Sequence, residues 1–173
     1  MLLIQLTGLS GAGKSTLALL VKEQLLSQNI PTVIIDGDVY RKTICADLGF
    51  SKQDRCENIR RLGAVAKDFS DKGFVAIIAA INPYEEARSE LVMRYNAKTV
   101  FIDCPLYVLS ERDTKGLYKK AALPDNHPDK VSNLTGVNDP YEKPVHADLT
   151  LNTSELLPDE ACNRLTDFIV NLL

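Results

Sequence analysis

The chain has 173 residues, 45% of them hydrophobic and 25% charged, which is enough for one packed core and short for two. Its 20 basic and 23 acidic residues leave a formal charge of -3, so bulk electrostatics excludes neither fold nor chemistry but gives no reason to expect a nucleic acid polymer or an anionic membrane as partner. No apolar run reaches the length of a spanning helix, about 18 residues, and Met1-Leu2-Leu3-Ile4 leads straight into a polar turn, so a cytoplasmic protein without a signal peptide is expected.

The first apolar run, residues 2–6, reads as a strand and is followed by helical spacing over 14–28. A second run at 32–36 precedes a predicted helix at 38–47. Ser51 then caps a long predicted helix over 52–71. Runs at 74–79 and 98–103 flank a helix at 84–95, and a further helix is expected over 105–121. Residues 123–140 hold three prolines and little periodicity, so a long loop serving as a mobile lid is expected within about 112–144. The chain closes with a strand at 148–151 and a helix at 158–172, whose Leu165, Phe168, Ile169 and Leu172 read as core. Alternating strands and helices, with strands almost continuously apolar, predict one α/β domain over 1–173 with a doubly wound, mostly parallel central sheet between two helical layers.

The segment between the first strand and first helix carries the clearest chemistry. Gly8-Leu9-Ser10-Gly11-Ala12-Gly13-Lys14-Ser15 matches G-x-x-x-x-G-K-[ST], the phosphate-binding P-loop, in the strand-to-helix context that the motif needs. Its glycines let backbone N–H groups converge on phosphate, and the helix start adds positive potential. Lys14 is expected to reach the β and γ phosphates, Ser15 to ligate Mg²⁺, and Thr16 to pack or meet the α phosphate. The guanine-reading N-K-x-D of switch GTPases is absent, which favours a kinase of small molecules.

Acceptor residues are sought beyond the carboxyl ends of the strands. Asp36-Gly37-Asp38, followed by Arg41, could hold Mg²⁺ or take a hydroxyl proton, and reads equally as a turn with a helix cap. Asn82-Pro83-Tyr84 and Arg88 follow the third strand. Arg55, Asn58 and Arg61 recur at spacings of three, either as a solvated face or as a grip for phosphate or sulfate. Asp103 reads as the cap of the next helix rather than as a metal-holding acid. His127 and His146 read as surface loop residues, Tyr118 and Tyr141 as packing or nucleotide-flanking, and Cys45, Cys56, Cys104 and Cys162 as reduced, mostly buried thiols.

These motifs together resemble the adenylylsulfate kinase family. The resemblance spans GLSGAGKST at 8–16, DGDVYR at 36–41, LGFSKQDRCENIRRLG at 48–63, INPYEEAR at 81–88, RDTKGLYKKA at 112–121 and TGVNDPYEKP at 135–144. It implies a P-loop kinase fold, MgATP as donor, adenosine 5'-phosphosulfate as acceptor of a phosphoryl group on its 3'-hydroxyl, and a homodimer. By matching position, it implies that Lys14, Asp36 and Asp38 are catalytic and that Ser15 and Asp36 hold the metal. Gly8, Ser10, Gly11, Ala12, Gly13, Lys14, Ser15, Thr16, Arg112 and Lys115 would bind ATP. Asp38, Arg41, Phe50, Arg55, Asn58, Asn82, Lys119 and Leu134 would meet the acceptor, with Phe50 stacking on its base. Leu134 stands where the family carries Phe, Asn82 where it carries Ser, and Asn138 where it carries an acid. These departures keep a second acceptor in view, another 5'-activated nucleotide such as cytidine diphosphoramidate. A nucleotide-binding module without catalysis is the alternative from another class, and the presence of Lys14, Asp36, Asp38, Arg41 and Asn58 argues against it.

Overall fold

Leu3–Thr7 (β1) is buried along its whole length, yet its side chains divide by parity. Ile4 and Leu6 join one apolar cluster and Leu3 joins another, because successive residues of a strand face opposite sides of the sheet. Val75–Ala79 (β3) repeats the pattern, with Val75, Ile77 and Ala79 on one side and Ala76 and Ile78 on the other. A sheet built of such strands must be covered on both faces. Thr32–Asp36 (β2), Lys98–Asp103 (β4) and Leu149–Asn152 (β5) complete it in the order β2-β3-β1-β4-β5, and all four neighbouring pairs are parallel. The computed structural model describes residues 1–173.

Lys14–Ser27 (α1) and Pro158–Val170 (α7) supply Leu17, Val21, Leu165 and Ile169 to the cluster that holds Ile4 and Leu6. Lys52–Asp71 (α3) and Glu85–Tyr95 (α4) supply Ile59, Leu62, Ala87 and Leu91 to the opposite cluster. The result is the three-layer, doubly wound arrangement that the alternation of runs predicts. The four cysteines are buried and free, His127 and His146 are exposed, and no helix is long and apolar enough to cross a membrane.

Local chemistry redraws several elements. The helix expected over 38–47 is the four-residue Gly37–Tyr40 (α2), after which bonds such as Lys42 to Val39 and Thr43 to Tyr40 wind the chain in tighter turns. The helix expected over 105–121 is two helices, Leu106–Arg112 (α5) and Leu117–Ala121 (α6). Between them Asp113 and Gly116 have φ of 29° and 65°, and the Asp113 carboxylate accepts hydrogen bonds from Tyr118 N and Lys119 N at 3.0 Å each. An acid that caps the second helix therefore ends the first. Leu172 lies beyond α7 and is exposed, whereas Leu165 and Ile169 are fully buried. Asp103 does not cap α5, whose start is occupied by Pro105; its carboxylate lies 3.9 Å from Lys143 Nζ, and its carbonyl accepts from Thr153 N.

Gly8 ties this architecture to the loop that follows β1. A Cβ at Gly8 would collide with the carbonyl oxygen of Ile102 in β4, and Gly8 N donates to Ile81 O, beyond β3, at 3.2 Å. Gly8→Ala is expected to cost about 2 kcal/mol or more of stability, since the colliding atom is backbone and cannot swing away. The midpoint of urea unfolding measures this, and an unchanged midpoint would contradict the close approach.

Candidate active site

The turn from β1 into α1 sits between the carboxyl ends of β3 and β4, where the strand order reverses and a doubly wound sheet leaves a crevice. Gly11 and Gly13 take φ of 79° and 93°, conformations that L side chains rarely adopt, and so let the backbone curl beneath the first turn of α1. Lys14 folds back over this curl. Its Nζ donates to Gly8 O at 2.8 Å and to Leu9 O at 2.7 Å. Burial, assisted by the charge of Lys115, pushes the Lys14 ammonium down to about 7, against the opposing pull of Asp38 and Asp36.

Asp36 and Asp38 occupy different surroundings. Asp36 Oδ1 accepts from Asp38 N at 2.9 Å and Val39 N at 3.3 Å, capping α2, while its Oδ2 accepts from Ser15 Oγ at 2.8 Å. Asp38 makes one side-chain contact, to Lys115 Nζ at 2.8 Å, and that hydrogen bond holds its carboxyl below the usual range. The turn-and-cap reading therefore fits Asp36, and the more exposed Asp38 is the acid with a reactive oxygen to spare. Ser15 Oγ and Asp36 Oδ2 form a pair of hard oxygens suited to Mg²⁺, which takes few protein ligands and completes its shell with phosphate and water. No cluster of three or more His, Cys, Asp or Glu residues offers an all-protein metal cage.

A cavity of about 610 Å³ opens over the loop, lined by residues 10–16, Asp38, Arg112 and Lys115. Its far wall comes from the segment after β5, with Leu156 and Pro158 among its lining residues, together with Leu20 of α1. Thr153 braces this wall by donating from Oγ1 to Ala12 O at 3.0 Å, and its carbonyl accepts from the Arg112 guanidinium at 3.2 Å. One end of the cavity thus offers backbone N–H groups and cations for phosphates, and the other offers apolar surface for a flat ring. The sequence reading missed the 153–158 wall. Its available signal was position, because these residues follow the last strand at the same end of the sheet.

The remaining expected residues fall into two sets. Phe50 is about half exposed, with the Arg41 guanidinium 4.5 Å and the Arg55 guanidinium 5.4 Å from its ring centre. Arg41 donates to Gly49 O at 2.9 Å, and Arg55 donates from Nε to Phe50 O at 2.9 Å. Asn58, one turn along α3 from Arg55, is buried with Oδ1 unpartnered. Arg61 does not share this face: it is tied to Asp47 and Glu57. Lys119 is exposed on α6 and does not line the cavity. Leu134 is buried in the core cluster, and the next glycine, Gly136, backs onto Leu9 so closely that a Cβ would lie 2.6 Å from Leu9 Cδ2. Asn138 holds the turn by accepting from Leu134 N at 2.8 Å and donating to Val131 O at 3.1 Å.

Asn82, with φ of 47°, is a buried structural hub. Its Nδ2 donates to Gln5 Oε1 at 2.9 Å, and its carbonyl accepts from Thr7 Oγ1 and from Arg88 Nη1. The two tyrosines pack and brace. Tyr118 donates to Ser10 O at 2.7 Å, Tyr141 shares a 2.9 Å hydrogen bond with Thr7 Oγ1, and burial pushes both phenols up to about 12.

Comparison with known proteins agrees with this geometry. The profile of the family described as adenylylsulphate kinase matches residues 1–152. An adenylyl-sulfate kinase of Bacillus pumilus is 44% identical over 170 residues, covering 96% of this chain and 84% of the relative. Among solved structures, the APS kinase of Mycobacterium tuberculosis in complex with AMPPNP and APS is 37% identical with a TM-score of 0.90, covering 98% of this chain and 97% of that one. Shikimate kinase from Aquifex aeolicus, at 23% identity and a TM-score of 0.51 over 97% of this chain and 96% of that one, shares the fold.

The depressed Lys14 has a measurable signature. Between pH 7 and 10.5 an unfolded lysine keeps the proton that folded Lys14 releases, so this group makes stability rise with pH across that window. Lys14→Met is expected to stabilise the protein without ligand at pH 6, and to lose about 2 to 3 kcal/mol of that advantage by pH 9. Urea unfolding of both proteins at the two pH values checks this, and an advantage independent of pH would show that Lys14 is not buried as a charge.

Proposed function

The chain belongs to the adenylylsulphate kinase family, and from that membership we propose that it transfers the γ-phosphoryl group of ATP to the 3'-hydroxyl of adenosine 5'-phosphosulfate. The observation that carries this reading is one cavity lined by the phosphate loop, Lys14, Asp38 and Lys115, with Arg41 following α2 and set, like Arg55, against the ring of Phe50. A donor site and an anion-binding acceptor site thus meet at one carboxylate.

In this reading the N–H groups of residues 10–16 and the start of α1 take the ATP phosphates, and Lys14 exchanges Gly8 O and Leu9 O for phosphate oxygens. Ser15 and Asp36 are the residues that would hold Mg²⁺. When bound, the ion would neutralise charge on the β and γ phosphates. Arg112 and Lys115 close over the donor from the segment between β4 and β5, and excluding water there protects ATP from hydrolysis. Phe50 stacks on the acceptor base, while Arg41, Arg55 and Asn58 grip its 5' group.

Asp38 then accepts the proton of the 3'-hydroxyl as the oxygen attacks γ-phosphorus in line and the bond to the β-bridging oxygen breaks, releasing ADP. Asp36 suits this task less, since both of its oxygens are already engaged. Lys119 and Leu134 have weaker support as acceptor contacts, one exposed outside the cavity and the other packed in the core. A homodimer belongs to the same proposal on the strength of the family resemblance, and light scattering of the purified chain tests it.

The decisive assay follows ADP release with MgATP and a panel of acceptors that includes adenosine 5'-phosphosulfate and 5'-activated cytidine nucleotides. Strong preference for the phosphosulfate is expected, and turnover confined to a cytidine acceptor would overturn the acceptor while leaving the donor chemistry. Lys14→Ala and Asp38→Asn are each expected to lower kcat by more than about 100-fold with the fold retained, and near-normal turnover in both would sink the assignment.

A further inference from the structure

Arg55 is 6% exposed, and its side chain is partnered unevenly. Nε donates to Phe50 O at 2.9 Å. Nη2 donates to Asn133 O at 2.8 Å and lies 2.6 Å from Asp139 Oδ2. Nη1 has no partner in the protein. A guanidinium is a rigid planar fork, so fixing two of its nitrogens fixes the direction of the third.

Asp139 is itself held with unusual economy of chain. Its N–H donates to Leu134 O at 3.2 Å, its carbonyl accepts from Gly136 N at 2.7 Å, and it forms an isolated bridge with Thr135. Residues 134–139 therefore form one small knot. Burial of Leu134 in the core and the packing of Gly136 on Leu9 seat that knot against the phosphate loop. The Asp139 carboxylate is thus carried on a fixed base and reaches across to α3, 7% of the Arg55 side chain and 21% of its own being exposed. An ion pair so shielded is screened little by salt, and neither partner can leave it without stranding the other.

We propose that Asp139 is a positioning residue for phosphoryl transfer: its charge holds the Arg55 guanidinium in the seat that Phe50 O and Asn133 O define, so that Nη1 is presented to the anionic 5' group of the acceptor. This rests on the acceptor role given to Arg55 above. It assigns the role to a lid residue that touches no substrate, and it makes acceptor affinity depend on the pair rather than on the arginine alone.

Steady-state kinetics of the full chain with MgATP and adenosine 5'-phosphosulfate tests this in a double-mutant cycle of Asp139→Asn and Arg55→Lys. Asp139→Asn keeps the side-chain volume and is expected to raise KM for the phosphosulfate about tenfold, with kcat and the KM for ATP changed by less than about threefold. In the Arg55→Lys background, where no planar fork remains to be oriented, adding Asp139→Asn is expected to raise KM by less than about twofold. Asp139→Glu, which keeps the charge, is expected to recover part of the loss and serves as the readout if Asp139→Asn does not fold. An unchanged phosphosulfate KM in Asp139→Asn would overturn the proposal. So would an equal penalty in both backgrounds, or a parallel rise in the ATP KM, because each marks a general structural effect. Absence of phosphosulfate turnover by the unaltered chain would instead overturn the acceptor reading on which the proposal stands.

Discussion

Everything in this molecule is arranged around the need to bring backbone N–H groups close together without burying them unpaired. Phosphate oxygens can satisfy several such donors at once, but only if the chain curls more tightly than side chains normally permit. Gly8, pressed against Ile102 O and bonded to Ile81 O, shows how tight the fit is. That contact requires β1 to lie between β3 and β4, and the parallel order of the sheet supplies it. Lys14 provisionally fills the space by bonding the carbonyls of its own loop.

The two halves of the site are held by different means. The donor half is built from strand ends and the start of α1, elements whose positions follow from the core. The acceptor half, as proposed, depends on arginines anchored to carbonyls: Arg41 on Gly49 O, Arg55 on Phe50 O and Asn133 O. Arg88 anchors the chain in the same way near residue 142. It is buried, donates to Asn82 O and Glu142 O, and pairs with Glu85. The chain near Glu142 is thus fastened to the loop after β3, while the chain between α5 and α6 turns through Asp113 and Gly116.

Much of this was legible before any coordinates. The strand runs are continuous because both faces are covered, and parity within β1 and β3 then sorts the clusters. The phosphate loop carries its own spacing. Helix ends were less legible, because Asp113 looks like any polar residue of a helix face until its carboxylate is seen capping the next helix. Repeating spacing also misled: Arg55, Asn58 and Arg61 share a periodicity, but the turns at 41–47 draw Arg61 toward Asp47. The Arg55–Asp139 pair was beyond reach for a simpler reason, since 84 positions of sequence separate partners that only the fold brings together.

The wall formed by residues 153–158 bears on synthesis as well as on catalysis. The phosphate loop lies near the amino end of the chain, but the surface that closes the cavity follows β5, the last strand. Thr153 reaches back from there to Ala12. A chain emerging from the ribosome therefore makes its phosphate loop well before the residues that complete the cavity, with the edge strand still to be added to β4. The nucleotide cavity is therefore complete only once residues 153–158 have been made and folded back over the loop.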